Sequence, residues 1–320
     1  MDSPQAMINL LYQNIARVIV GKKQPVLLSL ATLICGGHLL IEDVPGLGKT
    51  MLARAISRSL ALEFKRIQCT PDLVPTDITG VSIFNQRALD FEFVKGPVFT
   101  NLLLADEINR ATPRTQASLL ECMAEKQVTA EGKTHALPDV FMVLATQKPV
   151  EFHGTYPLPE AQLDRFFMRI SMGYPAEEDE IKIMSMQNAG RPIDELKPIL
   201  TQQHLLTLQA EVADIHVSAD VQRYIAAIVR VTRDHPEVEL GASPRGSIAL
   251  MKACQAAALI AGKEFATPQM VKQMAVPVLA HRLILKQQSR LLGKKNSDIM
   301  QQILNNIPVP TSDAAGSTHA

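Results

Sequence analysis

A short glycine-rich segment that ends in a Lys-Thr pair carries the clearest chemistry in the sequence. It runs from Asp43 to Thr50 and follows an aliphatic stretch at 38–42. A strand, a glycine loop and a helix in this order bind phosphate, because backbone N–H groups and the positive end of the helix converge on the anion. Lys49 would place a full charge near the β- and γ-phosphates, and the Thr50 hydroxyl would ligate Mg²⁺. The candidate nucleotide-binding residues of this segment are Pro45, Gly46, Leu47, Gly48, Lys49, Thr50 and Met51.

This loop departs from the usual pattern at its first position, where Asp43 stands in place of a glycine. An ordinary strand-to-helix turn with an exposed lysine is the alternative interpretation. We prefer the phosphate loop, because the flanking segments have the strand and helix patterns that the motif requires.

A pair of acidic residues follows a second aliphatic stretch. The run Leu102-Leu103-Leu104-Ala105 precedes Asp106 and Glu107. A run without alternation is typical of a central strand in a parallel sheet, and ligands bind at the carboxyl ends of such strands. Asp106 would hold the hydration shell of Mg²⁺, and Glu107 would orient and deprotonate an attacking water. A polar turn is the alternative for this pair alone, but the two motifs together predict nucleotide hydrolysis.

Five short segments are predicted to be strands, and helical patterns separate most of them. This alternation indicates an α/β fold, in which a mostly parallel sheet has helices on both faces. The predicted strands are 38–42, 64–68, 101–105, 140–146 and 167–171.

Two insertions interrupt the alternation and are predicted to be β-hairpins. In the segment 79–94, Leu89, Phe91 and Phe93 alternate with acidic residues, which is the period of a strand. The segment 127–136 has a turn sequence between two short strand patterns. These hairpins are either surface decoration or protruding elements that touch a partner or line a pore.

After residue 174 the pattern changes to amphipathic helices with few strand signals. Ser218 and the pairs Ser243-Pro244 and Thr267-Pro268 are typical helix starts. The tail is rich in Pro, Ser, Thr and Ala, which is typical of disorder. We therefore predict an α/β nucleotide-binding domain at 1–174, a helical domain at 175–307 and a disordered tail at 308–320.

Composition limits the partners and the compartment. The 320 residues include 32 Lys plus Arg and 32 Asp plus Glu, a balance that argues against a broad nucleic-acid surface. The four cysteines are scattered without metal-ligand spacing, which is typical of a reducing compartment. The first residues lack the pattern of a signal peptide, and Gly36, Gly37 and His38 interrupt the longest apolar run. We expect a cytoplasmic protein without a membrane span.

Several longer motifs resemble those of one family, in the family's order and over nearly the whole chain. They are the segments 96–99, 105–111, 145–149, 154–166 and 241–245. An α/β nucleotide domain followed by a helical lid resembles an AAA+ ATPase, and these motifs resemble the MoxR family within that class. The resemblance implies a P-loop AAA+ core with a parallel sheet and flanking helices, followed by an all-α lid domain. The family also has hairpins at the positions of the two insertions.

The resemblance implies ATP and Mg²⁺ as cofactors and a homo-oligomer, most often a hexamer, with ATP between neighbouring subunits. Arg165 corresponds to the arginine finger that reaches the γ-phosphate of the next subunit. Arg245 corresponds to the lid arginine known as sensor 2. Val20 and Gly21 correspond to the segment that packs against adenine. The alternatives are a surface pair of Arg165 with Asp164 and a local salt bridge for Arg245.

One position departs from the family pattern. The family usually has asparagine after Ala-Thr-Gln, the sensor 1 residue that hydrogen-bonds the γ-phosphate and the attacking water, and this chain has Lys148. An ammonium only donates hydrogen bonds, whereas an amide donates and accepts. Lys148 would bind phosphate more tightly, pair with Glu107 and weaken it as a base, or point to solvent. The resemblance therefore leaves the turnover rate open.

The resemblance predicts an ATPase that remodels, matures or activates another protein in the manner of a chaperone. Family members commonly act with a partner that carries a von Willebrand factor A domain. A nucleotide-gated scaffold with weak turnover is one alternative. A motor or loader that acts on nucleic acid is another, which the balanced charge makes less favoured.

Overall fold

The computed structural model describes residues 3–87, 89–148, 154–190 and 192–310. Contacts divide the chain into one unit at 1–210 and a second at 211–320. The first unit contains the central sheet and its flanking helices, and the second is mainly helical.

The contact division falls beyond the predicted domain boundary at residues 174 and 175. The reason lies in main-chain bonds that tie the following segment to the first unit. The N–H groups of Ile199 and Leu200 both donate to the Ser59 carbonyl, at 3.0 and 3.1 Å. These bonds are consistent with the grouping of the segment 175–210 with the α/β unit.

Nine strands lie in the first unit, within the part of the chain that the structure describes. They are β1 Leu39–Glu42, β2 Phe64–Gln68, β3 Gly80–Asn85, β4 Asp90–Lys95, β5 Leu102–Asp106, β6 Gln127–Ala130, β7 Lys133–Ala136, β8 Met142–Gln147 and β9 Met168–Ile170. Five of them form the central sheet in the order β2-β5-β8-β1-β9, and every neighbouring pair is parallel.

The helices of the first unit cover the sheet and connect its strands. They are α1 Pro4–Ala16, α2 Lys23–Ile34, α3 Lys49–Ser59, α4 Pro75–Thr79, α5 Pro113–Glu125, α6 Glu160–Leu163, α7 Glu177–Ala189, α8 Pro192–Glu195 and α9 Gln202–Asp214, whose last residues pass into the second unit. Helix α5 is an example of a helix start that local sequence determines. The Thr112 hydroxyl accepts a hydrogen bond from the Thr115 N–H, and Pro113 occupies the first helical position.

The middle of the sheet is the core of the first unit. Leu102, Leu103, Leu104 and Ala105 of β5 have no exposed surface, as the unbroken aliphatic run predicts for a strand that is covered on both faces. The predicted parallel α/β fold is confirmed, with small shifts at the strand ends.

Both predicted hairpins are confirmed. Strands β3 and β4 pair antiparallel, and so do β6 and β7. The hairpins touch, since the rings of Phe93 and His135 stack with centroids 4.2 Å apart. On the first hairpin Phe84 and Phe91 form an edge-to-face pair and are 51% and 61% exposed. An aromatic pair on a protruding, exposed hairpin is a candidate contact for another molecule.

The second unit contains five helices and a short ribbon, within its described residues. The elements are α10 Ala219–Asp234, β10 Val238–Leu240, α11 Pro244–Ile260, α12 Pro268–Leu279, β11 Ile284–Leu285, α13 Gln287–Leu291 and α14 Asn296–Asn306. The Ser218 and Thr267 side chains cap α10 and α12 as predicted. The predicted helical lid is confirmed, and a short antiparallel pair, β10–β11, lies among its helices; two such short strands leave no periodic signal in sequence. Most of the predicted tail, 311–320, lies outside the described residues.

All four cysteines lie among the described residues and are free thiols. Cys69, Cys122 and Cys254 are buried and Cys35 is partly buried. Burial raises the pKa of Cys69 to about 12 and that of Cys122 to about 11, so these thiols stay protonated and inert. No described helix combines the length and the apolar character needed to cross a membrane.

His38 is a buried titratable residue next to β1. Its Nδ1 accepts from the Val143 N–H at 3.0 Å, and its Nε2 lies 3.0 Å from the Met123 carbonyl oxygen. A neutral ring with its proton on Nε2 satisfies both partners. Burial lowers the pKa of His38 from 6.5 to about 4, although the bond to Met123 opposes that shift.

The folded protein should therefore become less stable as the pH decreases through an acidic range. Between pH 6.5 and about 4 the unfolded chain binds a proton that the folded His38 does not accept. The free energy of unfolding should decrease through this window as pH falls, by up to about 3 kcal/mol. Replacing His38 by Gln should flatten this part of the profile in urea unfolding experiments. His216→Gln, at an exposed histidine, is the control and should keep the wild-type slope; an unchanged slope in His38→Gln would contradict the assignment.

Candidate functional site

The phosphate loop lies between the carboxyl end of β1 and the N-terminus of α3. Gly46 and Gly48 have φ angles of 86° and 82°, a left-handed conformation that glycine adopts without strain. An added Cβ at either position would meet no heavy atom of the described residues within 4 Å. Backbone conformation, rather than space, therefore requires glycine here. Gly48 immediately precedes α3, whose first N–H groups have no partner within the helix.

One cavity of about 320 Å³ brings the two sequence motifs together. The loop and the start of α3 form one side, and the ends of β5 and β8 form the other. The lining residues are Pro45, Gly46, Gly48, Lys49, Thr50, Met51, Asp106, Glu107, Thr146 and Lys148. Residues that are far apart in sequence thus share one concave surface, and their roles with a nucleotide stay predictions.

Lys49 contacts the carbonyl oxygens of its own loop. Its Nζ donates to the Asp43 oxygen at 2.8 Å and to the Val44 oxygen at 3.0 Å. Desolvation lowers the pKa of Lys49, while the charges of Asp43, Asp106 and Glu107 act in the opposite direction. A phosphate in the cavity would compete with neutral carbonyl oxygens for this ammonium, and a charged acceptor forms the stronger hydrogen bond.

Asp106 at the end of β5 has a partner for each carboxylate oxygen. Thr146 donates to Oδ1 at 2.6 Å, and Arg66 of the neighbouring strand β2 pairs with Oδ2 at 2.6 Å. The Arg66 side chain is 47% exposed, so solvent weakens this pair and the arginine can leave it at small cost.

Glu107 is held by its backbone and by two cations. It has a φ of 57°, and its N–H donates to Thr146 Oγ1 at 2.8 Å. Lys148 Nζ lies 3.0 Å from Oε1, and Arg110 NH1 lies 3.1 Å from Oε2. Burial raises the pKa of Glu107, but the hydrogen bonds from Lys148 and Arg110 outweigh it, so the pKa lies below its ordinary value.

Sequence reasoning missed three residues of this site. Thr146 bridges Asp106 and the Glu107 N–H. It lies within the Ala-Thr-Gln motif, but the sequence analysis assigned it no role. Arg110 follows Glu107 by three residues on a 3-10 turn, and this spacing was an available signal. Arg66 had no signal in sequence, because its contact depends on the pairing of β2 with β5.

A second cavity of about 240 Å³ adjoins the phosphate loop. It shares Gly46, Gly48 and Met51 with the first cavity, so the two are continuous along the loop. The remaining lining residues are mostly apolar, as the flat face of a base requires. They are Val18, Ile19, Val20, Lys22, Leu47, Met172, Gly173, Pro175, Ile183 and Gln187.

Both residues predicted to contact adenine lie beside this second cavity. Val20 lines it, and Gly21 turns the chain with a φ of 72°. A Cβ at Gly21 would lie 2.0 Å from Asp179 Oδ2, so a larger residue would displace this carboxylate and would also be strained by the positive φ. The predicted use of this segment for adenine stays a prediction.

The two predicted arginine sensors lie elsewhere. Arg165 is not among the described residues that line either cavity; its NH1 donates to the Leu120 carbonyl at 2.5 Å. Arg245 lies in the second unit, exposed in the first turn of α11. Their proposed roles depend on a neighbouring subunit and on the arrangement of the two units, and both stay predictions.

The donor set fits a Mg²⁺ ion that is shared with a nucleotide. Thr50 and Asp106 are hard oxygen ligands that line the same cavity. Magnesium is usually held by one or two protein ligands together with phosphate oxygens and waters. Among the described residues no group of three or more His, Cys, Asp or Glu could hold a metal, which is consistent with such a sparse site.

Two parts of the chain match known families. Residues 38–168 match the ATPase family associated with various cellular activities (AAA), and residues 230–303 match the AAA lid domain. A crystal structure of a candidate ATPase from Cytophaga hutchinsonii superposes with a TM-score of 0.90 at 36% identity, covering 96% of each chain.

Curated relatives match along most of their length. A protein of Bacillus subtilis, the uncharacterized YeaC, is 47% identical over 95% of both chains. Chaperone MoxR1 of Mycobacterium tuberculosis is 39% identical over 94% of this chain and 81% of its own, and Protein MoxR of Paracoccus denitrificans is 30% identical over 84% and 86%. From the two family matches and the identity to these relatives over most of their length, the chain belongs to the MoxR family of AAA+ ATPases.

Proposed function

We propose that this protein binds ATP with Mg²⁺ and hydrolyses it, within a ring of identical subunits, to remodel or activate a partner protein. The observation that carries the proposal is the shared cavity in which the loop residues Lys49 and Thr50 face the strand-end residues Asp106 and Glu107. Phosphoryl transfer needs this combination of phosphate-binding cation, metal ligands and a group that orients water.

Each residue of the cavity has a separate role in the proposed hydrolysis. The loop N–H groups and Lys49 bind the β- and γ-phosphates, and Thr50 and Asp106 would hold Mg²⁺, which neutralises charge that develops on the phosphates. Glu107 orients a water and accepts its proton as the water oxygen bonds to the γ-phosphorus. The bond from that phosphorus to the bridging oxygen breaks, and ADP and phosphate are the products.

The proposed subunit arrangement uses Arg165 in trans. Arg165 is not among the described residues that line the phosphate cavity or the adjoining second cavity, which supports a role at the site of a neighbour rather than in its own. A closed ring, with six subunits as the expectation from the family, would give each cavity such an arginine. Arg245 is proposed to report the nucleotide state to the lid.

The proposed client is a protein. The identity to Chaperone MoxR1 of Mycobacterium tuberculosis supports a chaperone-like role. A partner with a von Willebrand factor A domain is the specific proposal, and the exposed aromatic pair of the β3–β4 hairpin is a candidate contact surface. The free thiols support the cytoplasm as the location. The equal numbers of basic and acidic residues keep nucleic acid as the less favoured client.

A scaffold with weak turnover is the second candidate, and one observation favours it. Both oxygens of Glu107 are paired with cations, which lowers its basicity. A protein with this arrangement would bind ATP firmly and hydrolyse it slowly. Turnover therefore separates the two candidates, and the variants below test it.

Glu107→Gln should bind ATP but release phosphate at least about 100-fold more slowly, because a positioned base supplies such factors. Lys49→Ala should lose ATP binding, because the full charge of the loop is removed. Equilibrium binding and steady-state phosphate release measure the two effects. Glu121→Gln, an exposed carboxylate on α5, is the control and should behave as wild type. Wild-type turnover in Glu107→Gln would reject Glu107 as the base.

Arg165→Ala alone should lose most of the turnover, since arginine fingers supply roughly 10³–10⁵-fold in rate. Mixing it with Lys49→Ala subunits should restore part of the activity, because some interfaces then pair an intact loop with an intact arginine. Phosphate release against the mixing ratio, with mixed rings verified, measures this. If no ratio gives recovery, the arginine does not act between subunits.

Lys148→Asn should raise the single-turnover rate of hydrolysis by roughly tenfold. This increase is smaller than the rate factor that a positioned general base supplies in full. The change removes the cation from Glu107, so the pKa of Glu107 rises and the acid limb of the pH–rate profile moves to higher pH. Lys148→Met, which removes the charge without adding an amide, separates the two contributions. An equal or lower rate in Lys148→Asn would show that the lysine is an adequate sensor.

A further inference from the structure

Asp43 stands where the usual phosphate loop has glycine, and its carboxylate is buried and fully used. Only 8% of the residue is exposed. Its Oδ2 accepts from Ser171 Oγ at 2.9 Å, from the Met172 N–H at 2.6 Å and from the Gly173 N–H at 2.8 Å. Its Oδ1 accepts from the Val44 N–H at 3.1 Å. Four donors compensate the cost of burying this charge.

The three donors to Oδ2 belong to a segment with its own place in the site. Residues 171–173 follow β9, which lies beside β1 in the sheet. Met172 and Gly173 line the second cavity, opposite the loop residues Gly46 and Gly48. The Asp43 side chain therefore holds one wall of that cavity.

The main chain of the same residue faces the phosphate cavity. The Asp43 carbonyl oxygen accepts from Lys49 Nζ at 2.8 Å, and the Asp43 N–H donates to the Gln147 oxygen at 3.1 Å. A single residue thus connects the phosphate-binding lysine, strand β8 and the wall of the second cavity. Glycine in this position could make the main-chain contacts but not the side-chain contacts.

We propose that Asp43 is a positioning residue that fixes the wall of the base cavity relative to the phosphate loop. The base and the phosphates of a nucleotide then enter one site that is already formed, and no binding energy is spent on ordering the segment 171–173. The proposal rests on the proposed ATP-binding function and deepens it, because it assigns a contribution to base recognition to a residue of the phosphate loop.

A purely local role is the competing explanation. In that case Asp43 would only shape the loop through its bond to the Val44 N–H, and its loss would weaken every ligand that contains phosphates. A ligand without a base distinguishes the two. Inorganic tripolyphosphate contacts the loop but leaves the base cavity empty, whereas a non-hydrolysable ATP analogue uses both.

Asp43→Gly, which restores the usual motif, is the main variant for this test. Calorimetry in the presence of Mg²⁺ gives the dissociation constants of both ligands. We expect the affinity for the ATP analogue to fall by about tenfold or more, since hydrogen bonds to a charged group are lost. The affinity for tripolyphosphate should change by less than about threefold.

Two further variants keep the test valid if Asp43→Gly does not fold. Ser171→Ala removes one of the three donors and leaves the carboxylate and both N–H bonds in place. It should weaken the ATP analogue selectively by about threefold. Glu42→Gln is the matched control, because this neighbouring carboxylate also bonds β9, through Arg169 at 3.0 Å, but its side chain bonds Arg169 and Gln147 rather than the segment 171–173. Both affinities should be unchanged in the control.

Equal losses for both ligands in Asp43→Gly, or in Ser171→Ala if only that variant folds, would overturn the proposal in favour of the local role. Unchanged affinity for the ATP analogue would overturn it entirely. Binding is measured without hydrolysis, so a wild type that binds ATP but does not turn it over still tests Asp43. A wild type that does not bind the ATP analogue would overturn the proposed function and this proposal with it.

Discussion

The place of β8 between β1 and β5 determines the geometry of the site. Because all three strands are parallel, their carboxyl ends meet at one edge of the sheet. The phosphate loop leaves β1 there, the acidic pair ends β5, and Thr146 and Lys148 come from the end of β8. Aliphatic side chains buried on both faces of these three strands hold the sheet together at this point.

Charge pairing is the second feature of the site. Asp106 pairs with Arg66, and Glu107 pairs with both Lys148 and Arg110. These groups are partly exposed, so each pair contributes little to the stability of the fold and can exchange partners. A bound metal ion would offer a new partner to the carboxylates. Bound phosphates would offer new partners to the lysine and the arginines. If Glu107 is the base, as proposed, the rate of hydrolysis depends on how completely Lys148 and Arg110 release it.

The second cavity explains why the loop tolerates an acidic residue at its first position. The Asp43 side chain is buried, and its carboxylate accepts hydrogen bonds from residues 171–173, which line this cavity or precede its lining residues. Lys22 bonds the next residue of that wall, donating to the Tyr174 carbonyl at 2.7 Å. The wall is therefore tied to the loop on one side and to the segment before α2 on the other. If the protein binds ATP as proposed, base and phosphates would be recognised by parts of one ordered structure.

The sequence by itself determined the α/β class, the strands, both hairpins and most residues of the central cavity. These features have local causes: unbroken aliphatic runs, glycines at positive φ, Pro after a capping residue, and carboxylates at a strand end. The family resemblance added Lys148 as an unusual sensor and Arg165 and Arg245 as candidates. Tertiary structure alone decided which partner each charge takes. Arg66 meets Asp106 only because β2 pairs with β5, and Asp43 meets residues 171–173 only because β9 lies beside β1. Such contacts join residues that are distant in the chain, and strand order, which has no local signal, sets them.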